Sequence, residues 1–303
     1  MTKPTKTISV SICAIQVLGV LTLMLVCAVP KVEASENVIA WGIENSQGKL
    51  VMRRVGCGDA PASCLSYLSA QWKKNPRLNW LALAYVRQTD SAESVLKKSE
   101  VYGAEKVTNV PLREVGIDDF YDFIKRIKGD KNQFLDKTIT AAKRNGLEFG
   151  VTIYADQIED LEYSKIAAFD KIDRVALYER YREDYSSYPS QVSKAKIIFP
   201  NAKIYGGVYH YDRIDYLPCR PREKKKCSEN EEFANFNSLL LLQKKMLSKG
   251  DLDGLELYPG NLGEETTWAG WNQQNLCNNS RRANCIDLSV KMGRSLRQTL
   301  AIP

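Results

Sequence analysis

The feature that most constrains this chain is a rhythm. A short apolar run that reads as a strand gives way to a turn, an amphipathic stretch and then another apolar run. The apolar runs are Val38–Glu44, Leu78–Arg87, Leu112–Asp118, Leu147–Ala155, Arg174–Tyr178, Ala202–Tyr209 and a last one around Leu255. Helical periodicity fills Ser63–Lys74, Ser91–Glu100, Phe120–Ile127, Asn132–Arg144, Asp160–Ala168, Pro189–Lys196, Glu231–Lys249 and Asp287–Leu300. Strands that alternate with helices lie parallel, because each crossover returns the chain to the same end of the sheet. The expectation is an α/β fold, a single-domain (β/α)8 TIM-like barrel. Seven strands are clear, so the eighth unit is missing or irregular, and Lys49–Val55 reads as an added strand outside the repeat. A doubly wound sheet is the alternative, but no glycine-rich phosphate loop follows the first strand.

Ahead of the repeat stand Lys3 and Lys6, an uncharged run from Ile8 to Val29, and Val32-Glu33-Ala34. A basic start, an apolar run and small residues before a cut mark a secretory signal, with cleavage expected after Ala34. The run is long for a signal core and close to a bilayer span, so a retained N-terminal anchor is the alternative. The organisation expected is therefore a leader over 1–34 and one barrel domain over 35–303. A cleaved leader implies a secreted or periplasmic protein with no stable membrane span.

The cysteine pattern agrees with export. Outside the leader, cysteines fall into close pairs: Cys57 with Cys64, Cys219 with Cys227, and Cys277 with Cys285. Such pairs behind an export signal suggest local disulfides rather than metal ligands, since none has CxxC spacing. The formal charge of +7 falls to +5 once the leader's Lys3, Lys6, Lys31 and Glu33 are removed. That balance, without a basic helix or an aromatic RNA motif, does not indicate nucleic acid.

Function is read from strand parity. Successive side chains of a strand alternate between faces, and the inward residues near a barrel's C-terminal end build its site. With Ile39, Trp41 and Ile43 facing outward, Ala40, Gly42 and Glu44 face inward. Val115 and Ile117 outward leave Glu114, Gly116 and Asp118 inside. Phe149, Val151 and Ile153 outward leave Thr152, Tyr154 and Asp156 inside, and Leu255 and Leu257 leave Glu256 and Tyr258. Four strands thus send an acid to one end: Glu44, Asp118, Asp156 and Glu256. Each has a bland alternative. Asp118, Asp119 or Asp156 would suit a helix cap, and Glu256 an ion pair with Arg87 or Lys203.

Converging carboxylates without metal-ligating histidines suit sugar chemistry, in which one acid protonates the leaving oxygen and another stabilises or attacks the anomeric carbon. The single histidine, His210, excludes two-histidine and multi-histidine metal mechanisms. Neither a metal nor a cofactor is expected. The expected catalytic set is Asp118, Asp119, Asp156 and Glu256. Glu256, crowded by other acids, would be the proton donor with a raised pKa. Glu44, Arg87, Tyr154, Tyr178, Glu179, Tyr209, His210 and Tyr258, at or near strand ends, are the expected ligand contacts, with Trp268 and Trp271 as sugar platforms.

At Gly116-Ile117-Asp118-Asp119-Phe120 the sequence resembles glycoside hydrolases with an adjacent acidic pair at a barrel strand end, such as the O-GlcNAcase-like enzymes. The resemblance implies that Asp118 orients a 2-acetamido group and Asp119 protonates the leaving oxygen. That group carries its pair after the fourth strand, whereas the pair here follows the third of the clear strands. Two other readings stand beside a carbohydrate hydrolase: a carbohydrate-binding barrel without catalysis, and an interaction domain using the basic Arg220–Lys226 loop.

Overall fold

The computed structural model describes residues 38–41, 52–57, 80–86, 91–104, 112–209, 227–258 and 285–301, with positions 66 and 70 helical. All of these lie in one compact unit, Glu33–Pro303. Among the described residues eight strands appear in chain order: β1 Val38–Trp41, β2 Met52–Cys57, β3 Trp80–Val86, β4 Leu112–Ile117, β5 Glu148–Tyr154, β6 Arg174–Tyr178, β7 Lys203–Tyr209 and β8 Gly254–Tyr258. Each pairs in parallel with the next, and β1 pairs with β8, so the sheet closes on itself.

The strand expected outside the repeat, Lys49–Val55, is β2, a full member of the ring through Arg53↔Trp80 and Ile39↔Met52. Its Arg53-Arg54 pair masked it, because a parallel strand covered on both faces normally reads as a continuous apolar run. With β2 counted, Asp118 and Asp119 follow the fourth strand. Described helices follow six of the strands: α1 Ala92–Ala104 after β3, α2 Phe120–Arg126 and α3 Lys131–Ala142 after β4, α4 Ile158–Ser164 after β5, α5 Tyr188–Ile198 after β6, α6 Glu229–Lys249 after β7 and α7 Cys285–Leu300 after β8. Among the described residues none of these is long and apolar enough to cross a membrane. The leader lies outside them.

Local chemistry sets the helix ends. Ser228 Oγ accepts from the Glu231 N–H at 3.3 Å, while Glu231 Oε2 accepts from the Ser228 N–H at 2.7 Å. This capping box starts α6 two residues before the expected Glu231. Phe236, Leu239, Leu240 and Met246 then form its buried stripe. The outward residues Val115, Ile117, Phe149, Val151, Ile153, Leu255 and Leu257 join the same apolar layer between strands and helices, as parity requires. Each fully buried side chain of this kind contributes about 1.5–3 kcal/mol. At the N-terminal ends of the strands, Asp173 accepts from the Phe149 N–H at 2.7 Å and Asp253 from the Ile204 N–H at 2.8 Å. Those carboxylates satisfy backbone donors that the ladder leaves open.

Parity is reversed in β1. Ile39 is in register with the inward Glu256 and packs with the inward Tyr205, while Val38 belongs to the outer layer. An apolar run covered on both faces carries no alternation, so a one-residue slip passes unseen and flips every side chain. The inference that Glu44 points inward rested on the opposite assignment, and Glu44 itself lies outside the described residues.

Candidate functional site

Inside the ring, strand registers bring Glu114 of β4, Arg174 and Tyr178 of β6 and Glu256 of β8 into one network. Arg174 donates from Nε to Glu114 Oε2 at 2.7 Å and from Nη2 to Glu114 Oε1 at 2.6 Å. Its Nη1 donates to Glu256 Oε2 at 2.6 Å, and the Tyr178 hydroxyl donates to Glu256 Oε1 at 3.0 Å. Glu114 and Glu256 are 0% exposed and Arg174 3%. Burial alone would lower the arginine's pKa, but the Glu114 and Glu256 carboxylates together raise it above the ordinary value. Two glycines make the room. A Cβ at Gly150 would stand 1.9 Å from Glu114 Oε1, and one at Gly207 would stand 2.2 Å from the Tyr178 ring.

This network corrects two expectations. Glu256 pairs with Arg174 rather than with the exposed Lys203, and Arg87 lies outside the described residues. Nor does it stand among acids alone, because a guanidinium lies between it and Glu114 and engages both. Arg174 was missed, although its parity with Tyr178 signals it. Two inward carboxylates need a cation, and residues 174, 176 and 178 share one face.

Above the network, four consecutive strands end on tyrosine: Tyr154, Tyr178, Tyr209 and Tyr258. Tyr209 is the hub. Its ring lies 4.4 Å from that of Tyr178, 6.5 Å from Tyr154 in a stacked pose and 5.8 Å from Tyr258 edge-on. The Tyr154 and Tyr209 hydroxyls are 3.0 Å apart. Tyr178 is buried, and the other three are half-buried. Polar-edged rings at the C-terminal mouth of a parallel ring of strands are suited to ligand contact.

Charged residues stand just past the strand ends. Asp118 and Asp119 follow β4, and Asp119 has a left-handed backbone with φ 48°. It occupies the position before α2 but makes no side-chain cap, and its N–H donates to Asp118 Oδ1 at 3.0 Å. Asp tolerates this conformation better than most residues, yet such strain persists mainly where a site requires it. Asp156 caps no helix either. Gln157 Oε1 accepts from the Tyr154 N–H at 3.1 Å, while Asp156 Oδ1 lies 3.2 Å from Arg180 Nε. The capping expectation therefore fails for Asp119 and Asp156.

The segment after β6 supplies three further groups. Glu179 is 4% exposed and accepts from the Tyr181 N–H at 2.8 Å. Burial pushes its carboxyl up to about 8, against the lowering effect of that N–H, and Asp156, Asp184 and Glu183 add repulsion. Glu179, expected as a ligand contact, is thus a carboxyl with a raised pKa. Arg182 pairs with Glu232 of α6 and donates to the Tyr209 carbonyl at 2.7 Å, which ties the mouth to the helix layer. Arg180 lies 3.9 Å above the Tyr154 ring centre. Neither arginine was singled out in the sequence, where only their place beyond a strand end marks them.

Glu44, Arg87, His210, Trp268 and Trp271 lie outside the described residues, as do Cys64, Cys219, Cys277 and the Arg220–Lys226 loop. Cys57 closes β2 and Cys285 opens α7, their side chains undescribed. Cys227 takes part in a disulfide. No group of three or more metal-ligating side chains occurs among the described residues.

No family model matches the chain, and no curated protein does either. Solved structures similar in fold include a family 18 chitinase from Crocus vernus, with 9% identity, TM-score 0.43, and coverage of 73% of this chain and 91% of that one. Another is the GH99 endo-alpha-mannosidase from Bacteroides thetaiotaomicron, with 11% identity, TM-score 0.47, and coverage of 83% and 80%. Triosephosphate isomerase from Bartonella henselae follows at 10% identity, TM-score 0.34, and coverage of 73% and 90%. Glycoside hydrolases recur among such structures, but likenesses of this size carry no argument about chemistry, and the fold hosts many unrelated reactions.

Proposed function

We propose that the chain is an exported, glycoside hydrolase-like (β/α)8 barrel that takes a poly- or oligosaccharide at the C-terminal mouth of its strands. The observation that carries this reading is the tyrosine set of β5 to β8, four rings of which Tyr209 touches the other three, with the half-buried Tyr154 and Tyr209 hydroxyls paired at the mouth. Sugar rings present apolar faces to aromatic rings and hydroxyls to polar edges, and tyrosine offers both. Asp118 and Asp119, after the neighbouring β4, supply the acid chemistry. Asp119 donates a proton to the leaving oxygen, and Asp118, held by the Asp119 N–H, orients or stabilises the reacting sugar. Their position after the fourth strand agrees with the acidic-pair glycoside hydrolases that the segment resembles. Glu256, with both oxygens engaged and no exposure, supports Tyr178 from beneath. Export follows cleavage after Ala34, and the disulfides are Cys57–Cys64, Cys219–Cys227 and Cys277–Cys285.

The test is a screen of the purified protein against defined oligosaccharides. Asp119→Asn should lower turnover by about 10²-fold or more while keeping affinity, and Tyr209→Ala should lose affinity. Binding without turnover in the wild type would replace the hydrolase with a carbohydrate-binding barrel. An absence of any saccharide binding would end the reading.

A further inference from the structure

Three arginines stand along or just beyond β6, and their environments differ. Arg174 makes three hydrogen bonds to two carboxylates. Arg182 is held by Glu232 and by the Tyr209 carbonyl. Arg180 makes no hydrogen bond among the described residues. Its Nε is buried without a partner in bonding geometry, although Asp156 Oδ1 is 3.2 Å away. The guanidinium carbon stands over Tyr154, 3.9 Å from the ring centroid, and the side chain is 24% exposed.

A guanidinium held over an aromatic ring by the cation–π attraction still has its N–H edge with which to bond. That edge is a planar fork matching a carboxylate in a bidentate manner. The contact with the ring already restrains the side chain, so less rotamer freedom remains to be lost when the fork is filled. Asp156 balances part of the charge but uses none of the donors. Arg174 demonstrates that one guanidinium in this protein accommodates two carboxylates. At Arg180 only the first is present.

We propose that Arg180 is the specificity-determining residue of the mouth, and that it takes the carboxylate of an acidic sugar, a hexuronate unit within the glycan. This rests on the reading of the mouth as a carbohydrate site. The hexuronate carboxylate accepts two parallel hydrogen bonds from the amino nitrogens of Arg180, while the sugar ring lies against Tyr209 and the Tyr154–Tyr209 hydroxyl pair. Glu179, with a carboxyl raised to about 8, is mostly uncharged at neutral pH and does not repel the incoming anion.

The experiment uses the full chain, hexuronate oligomers of defined linkage, and the same oligomers after carboxyl reduction to neutral hexoses. Titration calorimetry in low and high salt measures both series for the wild type, Arg180→Gln, Arg180→Lys and Tyr209→Ala. The wild type should bind at least one hexuronate oligomer about 10-fold or more tightly than its reduced twin, and salt should narrow the gap. Arg180→Gln should erase the gap and keep the neutral affinity. Arg180→Lys should restore part of it, because charge without the fork is a weaker match. Tyr209→Ala should weaken both series. Equal or better binding of the reduced oligomers, or a gap that survives Arg180→Gln, overturns the assignment to Arg180 and leaves the carbohydrate reading standing. A preference for a sulfated oligomer over the hexuronate overturns the carboxylate assignment. Failure to bind either series overturns the carbohydrate reading and this inference with it.

Discussion

The two ends of β6 hold arginines in opposite conditions. Arg174, at the start of the strand, is 3% exposed and shares its donors between Glu114 and Glu256. Arg180, two residues beyond the strand's end, faces a single carboxylate and donates no hydrogen bond among the described residues. The first arrangement is closed, with each partner's charge answered within the barrel. The second is open, with donors unspent beside tyrosine hydroxyls. One short strand thus separates a group that holds the fold from a group placed to meet a ligand. Parallel barrels divide their ends this way, with stability residues toward the N-terminal face and ligand residues at the C-terminal face.

The largest expected effect is on the closed side. Arg174→Met removes the cation that joins the two buried carboxylates, which should cost about 3–5 kcal/mol in denaturant unfolding. Glu256→Gln is milder, about 1–3 kcal/mol, since Arg174 keeps its bidentate hold on Glu114. Turnover per folded molecule should then change little. A fall of about 10²-fold at unchanged stability would instead make Glu256 a proton donor and collapse the contrast between the two ends.

Between the extremes stands Glu179. Its folded pKa of about 8 exceeds an ordinary carboxyl value of 4.5, so the folded state holds this proton more tightly than the unfolded chain does. Its stabilising contribution is therefore complete below about pH 4.5 and is lost as pH rises toward about 8, by up to roughly 1.4 kcal/mol per pH unit. Glu179→Gln should flatten that part of the stability profile in chemical denaturation at stepped pH. An unchanged slope would show that Glu179 is not the titrating group.

Most of the closed side was legible in part. Glu114 and Glu256 face inward because Val115, Ile117, Leu255 and Leu257 alternate with them. The arginine joining them was not read, because it opens a strand whose other residues are apolar or aromatic. At β1 the limit is physical: Val38, Ile39, Ala40 and Trp41 are all apolar, and alternation cannot be read from a run without polar members. The mouth is the reverse case. Each strand-final tyrosine could be placed from its own run, but their contact through Tyr209 is a property of the closed ring. Arg180 and Arg182 belong to a connecting segment, where no periodicity tells which side chain turns toward the site.

The smallest expected effect is that of Arg180→Gln without any ligand. Its ion pair with Asp156 is partly exposed, with side chains 24% and 36% accessible, and it lacks hydrogen-bond geometry. Pairs of this kind contribute about 0–1 kcal/mol, because water already solvates both charges well. The cation–π contact with Tyr154 adds about 0.5–1 kcal/mol at such a site. Glutamine keeps part of the side chain against the ring, so the net loss should stay near 1 kcal/mol or below. Denaturant unfolding of the ligand-free protein measures it directly, alongside Arg174→Met. A loss as large as that of Arg174→Met would mean that Arg180 is a structural support after all, and the open end of β6 would be closed like the other.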